Sequence, residues 1–331
     1  MEKRQQLEAF LLYRLIRSSL ILIDFRKSEA VISNFCLILD PTMSLPSPTK
    51  TYHTESYAAI SPSRPELSTK GKHAFISGGG AGIGASIAQS LAKSGITSLG
   101  LLGRTTKTLQ ENKAVIEALN PDTKVHLYVA DLTDAEQTGA ALASFSEAVG
   151  GKIDILVANA AYMADVNSIP DSDPSDWWRA FEISVRGNFN LLRAFHPHAA
   201  AAASVIHVTT AAVHLPYMPG YSAYRASKSA ATKLFEYYRY ENPQFFVLQV
   251  HPGLIATSMT ENIAPMLAEL GLKYDDNALP GDFAVWALSG EAAFLNGRFV
   301  HVNWDVEELQ GLREALEKDK SRFTIGLQGW F

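Results

Sequence analysis

Tyr224 and Lys228 stand four residues apart within Ser222–Glu241, a stretch whose pattern reads as a helix. Residues at i and i+4 of a helix share a face. A phenol titrates near ~10, and an ammonium beside it favours the phenolate, bringing the hydroxyl toward the range where an acid/base group works. In a chain with 12 tyrosines such a spacing arises easily by chance, so its surroundings decide its weight. The pair opens a helix after a long loop, and that loop follows a strand-like run ending in Thr209-Thr210.

A second cluster, Ser77-Gly78-Gly79-Gly80-Ala81-Gly82-Ile83-Gly84, ends an apolar run and opens a helical pattern. Glycines let backbone approach a pyrophosphate, and the helix N-terminus offers N–H groups to its charge. Gly84 allows close packing of helix on strand. At the first strand-to-helix turn this points to a nucleotide site rather than a merely flexible loop. An NAD site expects an acidic residue ~20 positions beyond the glycines. That count lands on Arg104, and no Asp or Glu occurs from Leu67 to Gln110. A guanidinium there pairs with a 2′-phosphate, so NADP(H) is the expected cofactor. The alternative, a solvated arginine in a turn, leaves the missing carboxylate unexplained.

The elements that must hold these residues are visible as a regular alternation from about Lys70 onward. Strand-like runs fall at Lys72–Ser77, Ser98–Gly103, Lys124–Ala130, Ile153–Ala158, Ser204–Thr210, Phe245–His251 and Arg298–Val302. Helical patterns lie between most of them: Gly82–Ser94, Thr106–Leu119 (with Val115, Ile116 and Leu119 on one face), Asp134–Val149, Pro174–His196 and Ser222–Glu241. Alternating strands and helices imply parallel pairing and right-handed crossovers. The expected fold is α/β, a doubly wound (Rossmann) seven-stranded parallel sheet with helices on both faces, in a single domain spanning 71–305. Residues 43–70, rich in Pro, Ser and Thr, read as an extended arm without a core, and 306–331 as a solvated C-terminal helix and tail.

Composition bounds the rest. The chain has 331 residues, 47% of them hydrophobic and 19% charged, which suits a globular protein. One cysteine, Cys36, excludes an internal disulfide framework. With 29 Lys+Arg against 34 Asp+Glu there is no basic excess, so no nucleic-acid partner is expected. The N-terminal apolar stretch Leu7–Ile23 is broken by Glu8, Arg14 and Arg17, so neither a spanning helix nor a signal peptide is expected. Glu2, Glu8, Asp24 and Glu29 argue against a transit peptide, and the expected location is cytoplasmic with no membrane partner. Residues 1–42 carry no turn signals. They are expected to be dispensable or a gene-model extension, with 43–331 sufficient for function. Melting temperature and NADPH binding of the shortened chain check this, and a large loss in either contradicts it.

Several motifs together resemble the short-chain dehydrogenase/reductase superfamily over about Gly71 to Val302. They are Ser77 to Gly84, Asp131-Leu132 after the third strand, Ala158-Asn159-Ala160-Ala161 after the fourth, Tyr224-x-x-x-Lys228, and Pro252-Gly253-Leu254-Ile255-Ala256-Thr257 after the sixth. The arm (Tyr57-Ala-Ala-Ile60, Arg64-Pro-Glu-Leu67) and the tail (Gly297-Arg-Phe-Val300, Asn303-Trp-Asp305, Gly329-Trp330) resemble fungal members. The resemblance implies that Tyr224 is the acid/base, and that Lys228 binds the nicotinamide ribose and lowers the tyrosine pKa. It implies that Gly78, Gly82, Ile83 and Gly84 cradle the cofactor, and that Asp131 and Leu132 meet the adenine. It further implies that Asn159 lines the cofactor, that Ile255 and Thr257 hold the carboxamide, and that Arg193 is a further cofactor candidate. Three positions depart from the family pattern. Thr210 stands where a serine is usual, Ser184 where an asparagine serves the proton-relay water, and Ala161 where the Asn-Asn-Ala-Gly motif ends in glycine.

The expected activity is interconversion of a carbonyl and a secondary alcohol. Thr210 would orient the substrate oxygen, Tyr224 exchange its proton, and Ser184 serve the relay. Segments 161–170, 211–221 and 258–280 should wall the substrate site. Their Tyr162, Met163, His214, Tyr217, Met218, Met259 and Met266 imply a hydrophobic small molecule. The competing reading is a cofactor-binding or interaction protein whose redox chemistry has decayed. A homodimer or homotetramer is left open. No metal site is expected: His196 and His198 flank Pro197 near a helix end, with no third ligand at zinc spacing. Trp177-Trp178 reads as a packing pair.

Overall fold

The computed structural model describes residues 47–269 and 271–327, so the expectations for 1–42 and for Gly329-Trp330 lie outside the described residues. Strands and helices alternate in this order: β1 (His73–Ser77), α1 (Gly82–Lys93), β2 (Ser98–Gly103), α2 (Thr106–Leu119), β3 (Lys124–Val129), α3 (Ala135–Ala148) and β4 (Ile153–Ala158). Then come α4 (Pro174–Phe181), α5 (Asn188–Phe195), β5 (Ala199–Val208), α6 (Ser222–Glu241), β6 (Phe246–His251), α7 (Ala264–Glu269), α8 (Ala278–Ala287), β7 (Phe299–His301), α9 (Val306–Gly311) and α10 (Arg313–Lys318). The sheet order is β3-β2-β1-β4-β5-β6-β7, every pair parallel. This is the expected doubly wound sheet.

Alternation along the strands builds two cores. Ile76, Leu101, Val157, Ile206 and Val250 point to one face, where α1, α2 and α8 pack. Phe75, Leu102, Leu156, Val205 and Val247 point to the other, under α3, α5 and α6. A sheet buried on both faces needs apolar residues at successive positions, which is why these strands are nearly continuous apolar runs. Order β3-β2-β1-β4 reverses between β1 and β4. The strand carboxyl ends there form the crevice where such folds bind ligands.

The helix expected over Pro174–His196 is present and unbroken, with π-helical geometry over Glu182–Gly187 between α4 and α5. Three other expectations are corrected. On α2 the buried face is Leu109, Asn112 and Ile116, whereas Val115 and Leu119 are 44% and 43% exposed. Asn112 is drawn inward because its amide donates to the Gly79 carbonyl (2.7 Å) and accepts from Gln89 (2.8 Å). The arm is docked, not bare: residues 47–70 form two short 3-10 turns and place Ile60 and Leu67 in the core. The C-terminal helical region is two short helices whose Val306, Leu309 and Leu316 are buried, so it is not merely solvated.

Candidate active site

Every residue expected to touch the cofactor, except Arg193, stands just beyond a strand carboxyl end or in the first two turns of the helix that follows one. The glycine turn joins β1 to α1. Gly78 and Gly82 take φ of +68° and +55°, a region that side chains disfavour. A Cβ on Gly78 would lie 2.7 Å from Asn159 Nδ2, and one on Gly82 would lie 3.0 Å from Thr257 Cγ2. A Cβ on Gly84 would strike the Gly78 carbonyl. The turn therefore has no room for side chains and presents bare backbone at the α1 N-terminus, as a pyrophosphate cradle requires. The Gly82–Thr257 approach also brings the loop after β6 against this cradle.

Asn159 and Ser77 brace the turn from behind. Asn159 Nδ2 donates to the Ser77 and Gly78 carbonyls (3.1 and 3.2 Å), and Ser77 Oγ accepts from the backbone of Asn159 and Ala160 (3.1 and 3.2 Å). The Asn159 amide thus supports the cradle rather than facing outward from it. Asn112 was missed in the sequence, and Ser77 was read only as the head of the glycine motif; a lone asparagine on a helix's buried face was the available signal for the first.

Where the sequence places the adenosine, Arg104 is exposed just before α2, beyond the end of β2. Asp131 lies one strand over. Its carboxylate is held below its usual range first by the Thr133 backbone N–H (2.9 Å), then by the Thr133 hydroxyl and the charges of Arg104 and Arg179. Leu132 is buried and packs on Gly187, so it offers backbone rather than side chain. Ile83 is partly buried in the first turn of α1. Arg193 is the exception to the expected set. It projects from the last turn of α5, six residues before β5 starts, at the sheet edge opposite the strand carboxyl ends. There it is exposed and lies over the Phe189 ring at 5.6 Å.

The Tyr224/Lys228 pair rides on α6, over the end of β5. Lys228 is buried, and its Nζ donates to the carbonyl of Val208, the last residue of β5 (2.8 Å). Burial brings its ammonium down to about 8. Tyr224 is partly buried. Burial pushes its phenol above the ordinary value, and the Thr210 hydroxyl that faces it pulls it back. Thr210 caps a short 3-10 turn, Ala211–Val213, and accepts from the Ala212 N–H (3.2 Å). Ser184 lies in the π-turn. Its Oγ is buried without a partner, as is Asn188 Oδ1, while Asn188 Nδ2 donates to the Ser184 carbonyl (2.7 Å). Beyond β6, Ile255 is buried and Thr257 is fixed through its N–H to Thr260 Oγ1 (2.9 Å).

Around this edge Met163, Met218, Met259 and Met266 are all partly exposed and Tyr217 is 66% exposed. Tyr162 instead donates to Asp176 (2.5 Å), and His214 Nε2 lies 3.1 Å from His301 Nε2. Trp177 and Trp178 both stack on Phe181. His196 Nδ1 lies 3.5 Å from the Tyr238 hydroxyl. A cavity of about 210 Å³ between α6 and residues 320–325 contains none of the site residues. Among the described residues no helix is long and apolar enough to cross a membrane.

Comparison with known proteins extends this geometry. Residues 72–268 match the family model for short chain dehydrogenases. A short chain dehydrogenase/reductase of Claviceps purpurea is 35% identical over 288 residues, covering 86% of this chain and 95% of that protein. A short chain dehydrogenase of Burkholderia cenocepacia in complex with NADP aligns with TM-score 0.65 and 24% identity, covering 72% of this chain and 99% of that one. A 7α-hydroxysteroid dehydrogenase complexed with NADH and 7-oxo glycochenodeoxycholic acid aligns with TM-score 0.66 and 23% identity, covering 75% and 97%. The two solved neighbours hold different nicotinamide cofactors on one fold, so the fold alone does not choose between them. The matched span runs from the first strand through the loop after the sixth, taking in the glycine cradle and the Tyr224/Lys228 helix, and on that span the chain belongs to the short-chain dehydrogenase/reductase family of oxidoreductases.

Proposed function

We propose that the protein is an NADP(H)-dependent oxidoreductase that interconverts a carbonyl and a secondary alcohol on a hydrophobic small molecule. The observation that carries this reading is the meeting at the end of β5 of the Tyr224 phenol, the Thr210 hydroxyl and the buried Lys228 ammonium. The cofactor, when bound, supplies or accepts the hydride. Gly78, Gly82, Ile83 and Gly84 would hold its pyrophosphate, Asp131 and Leu132 the adenine, and Ile255 and Thr257 the carboxamide. Asn159 keeps the cradle in shape.

Thr210 orients the substrate oxygen. Tyr224 gives a proton to that oxygen during reduction and takes it during oxidation. Lys228 spends one N–H on Val208 and keeps two for the ribose and the phenol. Burial holds the phenol above its ordinary value, so Tyr224 keeps its proton to give during reduction. Ser184, with its unpartnered hydroxyl, serves the proton path behind Lys228. The methionines on the surrounding segments suit an apolar substrate of variable shape.

NADPH oxidation against a panel of ketones and aldehydes tests the proposal. Turnover of at least one hydrophobic carbonyl is expected; NADPH binding without turnover across the panel overturns it. Arg104 decides the cofactor. NADPH should bind more tightly than NADH by on the order of 10–100-fold, the worth of a charge-assisted hydrogen bond. Arg104→Asp should abolish or reverse that ratio. An unchanged ratio in the variant assigns Arg104 to solvent.

A further inference from the structure

Four chain segments meet beside the loop after β6, and Asp275 is at their centre. Its Oδ2 accepts from the Leu254 N–H (2.8 Å) and from Asn303 Nδ2 (3.1 Å), while its own N–H donates to the Leu254 carbonyl (2.8 Å). Gly253, at φ +82°, is flush against it: a Cβ there would lie 2.5 Å from Asp275 Oδ2. Asn303 is fully buried and joins this carboxylate to the arm, donating to the His53 carbonyl (2.9 Å) and accepting from the His53 N–H through its backbone (2.7 Å). The Asp276 N–H donates to the Thr54 carbonyl (2.7 Å). The His53 ring stacks on Tyr57 at 3.5 Å and pairs with Asp305 (2.8 Å).

These bonds close the base of one excursion. The chain leaves β6 after His251, passes Leu254, carries Ile255, Thr257, Met259 and Met266, and comes back alongside Leu254 at Asp275. The two-way Asp275–Leu254 pair ties its ends together, and Asn303 ties that pair to the arm. We infer that Asp275 is a positioning residue for the loop that carries Ile255 and Thr257, and that the arm and the Asn303-Trp304-Asp305 turn act as its anchor. The inference deepens the proposed function, since it rests on Ile255 and Thr257 as cofactor contacts. It gives a role to motifs of the arm and tail that the chemistry leaves unused. An acceptor oxygen suits the place because it takes two donors at once, and a half-buried carboxylate is better tolerated with both in position.

The test is hydrogen exchange over residues 252–260 of the full chain without cofactor, beside NADPH titration, for wild type, Asp275→Ala and Asp275→Asn. Alanine leaves the Leu254 N–H without an acceptor, so exchange over 252–260 should rise at least tenfold, with β4 and β5 protected as before. NADPH affinity should fall by roughly tenfold through loss of the carboxamide contact. Both donors meet one oxygen, Oδ2, so asparagine can set its amide oxygen there, keep both bonds and stay near wild type in both measurements. Unchanged exchange over 252–260 in the alanine variant overturns the inference. Equal loss of protection across β4 and β5 in both variants also overturns it, because Asp275 then serves the fold as a whole. Faster exchange over 252–260 with unchanged NADPH affinity leaves the latch standing and removes Ile255 and Thr257 from the cofactor site.

Discussion

Replacing Tyr224 with phenylalanine should slow single-turnover hydride transfer by ~10²–10⁴-fold, the usual worth of positioned acid/base assistance. The phenylalanine ring fills the same partly buried space on α6, so melting temperature and NADPH affinity should stay near wild type. Only the hydroxyl that faces Thr210 is lost. Two companions separate the roles. Lys228→Met removes the charge near both the phenol and the ribose, so rate and NADPH affinity should fall together. Thr210→Ala should lower the rate with little effect on NADPH affinity, and Thr210→Ser should be tolerated because the hydroxyl remains. The lysine also sets a pH limit. Its ammonium sits at about 8, so the rate of reduction should decline as pH rises through that value.

Acid should unfold this protein early. His207 and His251 are brought down to about 3 and His301 to about 2, in each case first by burial. His207 stacks on Phe235 at 4.0 Å, with Lys228 adding repulsion, and His301 stacks on Trp304 at 4.5 Å beside His251 and His214. In the unfolded chain each takes up a proton near ~6.5. Below that pH the unfolded state binds more protons than the folded one, so stability is full above about 6.5 and is lost as pH falls toward 3. Each histidine contributes a slope of about 1.4 kcal/mol per pH unit, or about 4 kcal/mol per unit for the three together. Set against a total of about 5–15 kcal/mol for an ordinary domain, two units of acidification are decisive. Urea unfolding at pH 8, 6 and 5 measures the slope. His301→Asn keeps a polar atom for His214 and should remove about a third of it. A slope that is flat, or the same in the variant, contradicts the assignment of these histidines as buried and neutral.

Much of this was legible in the residues. The limits of β2, β4, α2 and α6 follow from apolar runs and turn residues alone, because each segment's local preference agrees with its place in the sheet. The glycine turn and the Tyr224/Lys228 face were legible for a similar reason: their chemistry requires fixed spacing. What escaped the sequence depends on distant partners. Ala199–Ala203 extends β5 although alanine is a poor strand former; Ala199 pairs with Ile153 across a register shift, and of the five only Ala203 is fully buried. The π-turn at Glu182–Gly187 has no spacing signature; Gly187 lies against Leu132 from the loop after β3. The buried face of α2 turned on Asn112, whose polar side chain reads as solvent-facing until Gly79 supplies its partner. Arg193 has cofactor-like chemistry, but helix length carries it past the site. Asp275 acquires a role only when residues 53, 254 and 303 are brought together in space.

In the proposed reaction this chain moves a hydride between NADPH and a carbonyl carbon, with Tyr224 handling the proton. Incubation of the protein with a hydrophobic ketone and NADPH carrying deuterium at both C4 positions of the nicotinamide, followed by mass spectrometry of the alcohol, tests it most directly. The account predicts one deuterium on the carbinol carbon with the wild type, and a yield at equal times lower by about the factor expected for acid/base assistance with Tyr224→Phe. Wild-type protein that binds the labelled cofactor yet yields no labelled alcohol across the ketone panel, or a Tyr224→Phe variant that labels as fast as wild type, would contradict it.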